Sequence, residues 1–185
     1  EMRGWVSLPV GVVTLAERHG GIVVTPAIFE AMVEEVSEHL APFAREHAMR
    51  DSADDIGSAM HLLGTSGTVT TIAGVHLGLK RYGRRRVDGC WMMDEDVSEV
   101  MDRLLAMSYD ERVGNACIGP DRAALVLAGC AILEAIRGVW PSDRLRVADR
   151  GLREGILATL MAEDGHGFSS RHRHGPWQQG TPAPR

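Results

Sequence analysis

Cysteine is scarce, long apolar runs are missing, and neither sign of charge dominates. The three cysteines, Cys90, Cys117 and Cys130, are odd in number and share no paired spacing. Neither a disulfide framework nor a zinc site is expected from them, and the plain reading is reduced thiols in a cytoplasmic protein. The longest apolar run, Ala123 to Leu133, is too short for the roughly 20 apolar residues that a membrane-spanning helix needs. No basic-then-apolar leader opens the chain, so nothing points to secretion. A formal net charge of -5 gives no general attraction to DNA or to an acidic membrane. Any polyanion must be held by a local basic site.

What is present suffices for one core. Hydrophobic residues make up 44% of 185 residues, which fits one domain with a tail. Residues 1–163 are read as that domain and residues 164–185 as a disordered tail, because Gly, Pro, Ser, His, Arg and Gln mix there without apolar periodicity. The opening Glu1-Met2-Arg3-Gly4-Trp5 carries no helix cap and reads as a chain entered midway.

The Val- and Leu-rich segment from Trp5 to Leu15 reads as a strand, with Pro9 and Gly11 marking an edge or bulge. Thr25-Pro26 predicts an N-cap with proline in the first helical turn. Ile28, Met32, Val36, Leu40 and Phe43 then recur at helical spacing opposite Glu30, Glu34, Glu35 and Glu38. His61-Leu62-Leu63 is expected as a short buried strand with His61 a core histidine. It leads through Gly64-Thr65-Ser66-Gly67-Thr68 into a helix. Arg86 to Met92 reads as another strand and Asp94 as a helix cap. Ser108 with Glu111 has the spacing of a capping box. A buried helix is expected from about Asp121 to Arg137, ended by Pro141-Ser142-Asp143. Leu145 to Val147 follows as a strand, and Asp149 as the cap of a last helix through Leu160. Strands alternating with helices predict an α/β layered sheet.

The turn from Gly64 to Thr68 is the strongest local signal for chemistry. Two glycines let backbone approach a ligand closely, hydroxyls stand between them, and the helix that follows presents unpaired N–H groups to an anion. No lysine follows Gly67, so this is not a Walker loop. The same residues also suit a tight strand-to-helix turn chosen for geometry alone. The basic run Lys80, Arg81, Arg84, Arg85 and Arg86 reads either as a binding stretch for a long polyanion or as a solvated loop. Arg122, beside Asp121, either reaches into a cleft or forms a salt bridge at a helix entry. Arg150, Arg153 and Glu154 read as a charge group bracing the last helix. His166, His172 and His174 lie in the tail, where weak adventitious metal binding is the most to expect. No arrangement resembles a poised general base, and no catalytic residue is assigned.

Taken in order, Ser7-Leu8-Pro9-Val10-Gly11-Val12-Val13, Gly64-Thr65-Ser66-Gly67-Thr68, Arg85-Arg86-Val87-Asp88-Gly89, Arg122 through Leu133 and Leu145 through Gly155 resemble the exopolyphosphatase / guanosine pentaphosphate phosphatase family. The resemblance implies a ribonuclease-H-like domain of the superfamily that includes actin, sugar kinases and chaperone ATPases. This would be the second of two such domains facing across a cleft, lacking its opening strand. It implies hydrolysis of the terminal phosphate of inorganic polyphosphate or of the 5′-phosphate of guanosine pentaphosphate, with magnesium whose ligands lie outside this chain. The family's catalytic glutamate belongs to the first domain, so the partners implied are that N-terminal domain and the phosphate substrate; a homodimer is compatible. Gly64, Thr65, Ser66, Gly67, Thr68 and Arg122 match the phosphate-binding positions that remain. The readings from other classes are a non-catalytic phosphate- or nucleotide-binding module and a packing piece without a ligand.

Overall fold

The computed structural model describes residues 4–47 and 61–166. The chain divides into two compact units, one ending at Asp149 and one beginning at Arg150.

In the first unit, α1 (Val12–His19) and α2 (Pro26–Glu46) precede β1 (Leu62–Gly64) and α3 (Gly67–His76). A helical turn α4 (Arg84–Val87), β2 (Trp91–Met93), α5 (Asp94–Ala106), α6 (Tyr109–Gly114), α7 (Pro120–Ala123), α8 (Val126–Val139) and β3 (Arg144–Val147) complete it. The strands form one sheet in the order β1-β3-β2. β1 runs parallel to β3 with Leu63 opposite Arg146, and β2 runs antiparallel to β3 with Trp91 opposite the same residue.

Two apolar clusters share α8. Met32, Val36 and Leu40 of α2 and Leu15 of α1 pack on Ala128, Ala131 and Ala135. Leu127, Cys130 and Leu133 on the other side meet α3, α5 and the sheet through Ile72, Val97, Leu104 and Val147. A helix between two cores is apolar nearly all round, as its sequence reads. The Cys130 thiol, wholly buried there, is pushed up to about 12 by desolvation.

Local chemistry sets several boundaries as expected. Thr25 Oγ1 accepts from Ile28 N at 3.2 Å, with Pro26 opening α2. Ser108 N donates to Glu111 Oε2 at 2.7 Å while Ser108 Oγ accepts from Glu111 N at 3.3 Å, closing a capping box on α6.

Other expectations are corrected. Trp5 to Leu15 forms no strand: α1 starts at Val12, where Thr14 Oγ1 accepts from Gly11 N at 2.8 Å, and buries Leu15 completely. Tertiary burial overrides the β-branched composition. β1 is not a buried strand. Met92, Leu145 and Val147 are buried, whereas Leu63, Trp91 and Met93 are exposed, so one sheet face is open. His61 is exposed too and lies edge-on to Trp91, with ring centroids 4.9 Å apart. Arg86 to Met92 divides into the end of α4 and the start of β2. Asp94 does not cap α5. Asp96 Oδ2 accepts from Met93 N at 2.8 Å, and Asp94 Oδ1 instead takes Arg137 Nε at 2.7 Å. The helix expected from Asp121 to Arg137 is two helices that break after Ala123.

The second unit holds α9 (Leu152–Glu163). Its N-terminus is closed by Glu154, whose Oε2 accepts from Gly151 N at 2.8 Å; Asp149, the expected cap, is engaged elsewhere. His166 N donates to Met161 O at 2.8 Å. The rest of the expected tail, including His172 and His174, lies outside the described residues. Among the described residues no helix is long and apolar enough to cross a membrane.

Candidate functional site

β1 and β3 end side by side, with Gly64 opposite Val147 in parallel register. Ala148 N donates to Gly64 O at 2.8 Å. Both chains therefore leave the sheet at one edge, the carboxyl end of parallel strands, where open α/β sheets take ligands.

The first chain continues into the turn from Gly64 to Thr68. A Cβ on Gly64 would stand 2.6 Å from Val69 Cγ1, so that glycine is fixed by packing. Ser66 Oγ accepts from Val69 N at 3.2 Å and caps α3. Thr68 packs beneath α8, where a Cβ on Gly129 would lie 2.0 Å from its Oγ1. Thr65, Ser66 and Gly67 are exposed. Gly67 opens α3, so its N–H and that of Thr68 have no acceptor within the helix and face outward from its end.

Arg122 comes to this turn from α7. Gly119, whose φ of +72 suits glycine, turns the chain into Pro120 and the helical turn. The guanidinium then spans to α3: Nη1 donates to Gly67 O at 3.1 Å and to Thr71 Oγ1 at 3.2 Å. Thr70 Oγ1 donates to the same Gly67 carbonyl at 3.0 Å, and Thr71 Oγ1 donates to Cys117 O at 3.4 Å. Arg122 forms no ion pair with Asp121 among the described residues. An arginine has five N–H donors in a planar fork. Among the described residues only Nη1 is engaged, which leaves the Nη2 and Nε donors for an oxyanion.

The second chain brings Asp149 to the same edge. Tyr82 O–H donates to Asp149 Oδ2 at 2.9 Å, and Arg84 Nε lies 2.9 Å from that oxygen. Arg84 also donates to the Asp149 carbonyl, and Asp149 N donates to Asp88 Oδ1 at 3.0 Å. The Tyr82 hydroxyl is held above its ordinary pKa by desolvation first and by Asp149 second, with Thr70 and Arg122 acting the other way. Tyr82 is thus bonded to Asp149 and feels the charge of Arg122 as well.

Every residue expected at the site is therefore placed at or beside one turn, with Arg122 joined to Gly67 directly. Thr71, Tyr82 and Asp149 were not expected there. A tyrosine inside the basic run was the only local signal for Tyr82, and the Asp149 carboxylate reads from sequence as a helix cap. The basic run itself is no uniform loop. Arg84 is committed to Asp149, Val87 is fully buried, and Lys80, Arg81, Arg85 and Arg86 are exposed.

Chemically, outward N–H groups and a fixed guanidinium can hold a phosphate oxyanion through charge-assisted bonds of about 1.5–3 kcal/mol each. The Asp149 carboxylate beside this region is tied to Tyr82 and Arg84. Among the described residues no group of three or more His, Cys, Asp or Glu is placed to hold a metal ion.

The architecture has known counterparts. The Aquifex aeolicus member of the Ppx/GppA family matches with 23% identity and a TM-score of 0.69, over 90% of this chain and 51% of that one. An exopolyphosphatase-like protein matches with 29% identity and a TM-score of 0.67, over 85% of this chain and 50% of that one. An exopolyphosphatase from Cytophaga hutchinsonii matches with 21% identity and a TM-score of 0.65, over 86% of this chain and 50% of that one. The chain thus spans about half the length of these relatives. No curated protein matches it. The sequence pattern of the Ppx/GppA phosphatases extends over residues 1–164 and so takes in both strands that meet at the turn. By that match, the chain belongs to the Ppx/GppA phosphatase family.

Proposed function

We propose that this chain forms one wall of a phosphatase cleft that takes inorganic polyphosphate, guanosine pentaphosphate or both. The carrying observation is the Arg122 guanidinium, bonded to Gly67 O at 3.1 Å at the start of α3, with Nη2 and Nε uncommitted among the described residues. The substrate is a terminal phosphoanhydride or the 5′-phosphate of the nucleotide. Hydrolysis of such a group depends on positioning and charge neutralisation more than on covalent chemistry. The Gly67 and Thr68 N–H groups and Arg122 supply those two needs for the phosphate that they hold.

On this reading the domain is ribonuclease-H-like, and the glutamate that activates water belongs to a first domain facing it. Magnesium, where the reaction uses it, takes its ligands from outside this chain. The protein works in the cytoplasm. The residues of this chain bind, orient and neutralise; they move no proton. A measurement of phosphate release from long-chain polyphosphate tests the proposal, with this chain compared with a protein that also carries the first domain. Negligible turnover by the chain alone is expected. Comparable specific activity would contradict the assignment of the base to another domain.

The alternative is a phosphate- or nucleotide-binding module that works without catalysis, for which the Arg122 guanidinium at Gly67 O would suffice. It predicts no gain in turnover when the first domain is supplied.

A further inference from the structure

Arg112 on α6 is 2% exposed. No carboxylate among the described residues pairs with it. Its guanidinium bonds four backbone carbonyls instead. Nε donates to Ala123 O at 3.0 Å, Nη1 to Met107 O at 3.0 Å, and Nη2 to Gly21 O at 3.2 Å and Ile22 O at 2.7 Å. A charge buried without a counter-charge is costly, and an apolar side chain of similar volume avoids the cost. The volume alone therefore does not account for an arginine.

What a guanidinium adds is a grip on three separate chain segments. One is the Ala123 carbonyl, on the residue after Arg122, where α7 ends. Another is the connection between α1 and α2, which presses on the same place: a Cβ on Gly21 would lie 2.0 Å from Ala124 O. We infer that Arg112 is a positioning residue for Arg122. By holding the Ala123 carbonyl and closing the Gly21–Ile22 segment behind it, Arg112 fixes α7 at the angle that sends the Arg122 guanidinium to Gly67 O and Thr71 Oγ1. The geometric part stands on the contacts alone. Its consequence for affinity rests on the reading of Arg122 as a phosphate ligand.

The test uses the full chain with Arg112→Lys, Arg112→Met and Arg122→Ala, and inorganic polyphosphate as the probe. Two quantities are read: the Arg122 side-chain Nη–Hη resonances in low-temperature 15N spectra, identified by their loss in Arg122→Ala and reporting the Nη1 bonds, and polyphosphate affinity by calorimetry. Lysine keeps the charge but is a point donor that cannot bridge three segments. In Arg112→Lys and Arg112→Met the Arg122 resonances are expected to move to the positions of a free arginine. Polyphosphate affinity should fall about tenfold while near-native melting shows a folded chain. A folded variant with the native Arg122 resonances overturns the inference. So does failure of both variants to fold, which makes Arg112 a residue of the fold at large. Unchanged affinity in Arg122→Ala instead removes the phosphate reading of Arg122, and the resonances still decide the role of Arg112.

Discussion

The Cβ that Gly67 lacks would stand 3.3 Å from the Cζ of Arg122, whose Nη1 takes the Gly67 carbonyl at 3.1 Å. Glycine at this position and arginine on α7 form one device: the bare backbone makes room for the guanidinium at the end of α3. Gly67→Val sets a branched side chain against the guanidinium. Polyphosphate affinity should fall by about tenfold or more, the loss of one charge-assisted bond, while melting changes little because the residue is exposed. Calorimetry beside thermal unfolding checks this, and an unchanged affinity in a folded variant means the glycine is there for the turn alone.

Ser66 hydroxyl chemistry is spent on the helix. Ser66→Ala should cost about 1 kcal/mol of stability through loss of the cap, measured by urea unfolding. Ser66→Asp should recover most of that loss, since aspartate also accepts from Val69 N.

Gly129 allows α8 to lie on Thr68. Gly129→Ala forces a methyl into space held by the Thr68 side chain and should destabilise by about 1–3 kcal/mol. Adding Thr68→Ala removes the 2.0 Å conflict with Oγ1 but leaves the Thr68 Cβ at 2.8 Å. The double variant should therefore recover part of the loss. Full additivity of the two losses would show that α8 and α3 do not meet at this point.

Tyr82, bonded to Asp149, gives the site a pH signature. Its hydroxyl is held above the ordinary tyrosine value, so the folded state binds that proton more tightly than the unfolded state does. The stabilising contribution is complete below the unfolded pKa of about 10 and is lost as pH rises through the higher folded value. Alkaline difference spectra of a protein with two tyrosines should show one ionising late. Asp149→Asn should bring it part of the way back, because desolvation remains the larger cause. A Tyr82 that ionises at its ordinary value would place it outside the packed site.

How much of this was legible depended on the range of each interaction. Thr25-Pro26, Ser108 with Glu111, and the Gly64 to Thr68 turn were readable, because a cap and its acceptor lie within one helical turn. The apolar stripe of α2 was readable for the same reason of period. Trp5 to Leu15 misled because Val12 and Val13 favour extended chain locally, and only burial of Leu15 against α8 makes the segment helical. The break after Ala123 was hidden because the groups that meet it, Arg112 at the Ala123 carbonyl and Gly21 against Ala124 O, approach from elsewhere in the chain. Asp149 had the sequence of a cap, yet its partner Tyr82 is 67 residues away.

Salt separates fixed from diffuse attraction. Arg85 and Arg86 are exposed and act on a long polyanion through a field screened over about 8–10 Å at physiological salt. Arg85→Ala with Arg86→Ala should weaken long polyphosphate by a factor that shrinks as salt rises, whereas the loss in Arg122→Ala should persist. Arg84→Ala should lower stability, since it removes one of the two groups held at Asp149 Oδ2. Equal salt dependence for all three variants would show that no fixed guanidinium site exists.

The most direct measurement is an amide chemical-shift map of the chain titrated with inorganic polyphosphate. The account predicts the largest shifts at the Gly67 and Thr68 N–H groups and neighbouring residues of the Gly64 to Thr68 turn, lost in Arg122→Ala. Shifts confined to Lys80 through Arg86, or an absence of shifts at the turn at saturating polyphosphate, would contradict it.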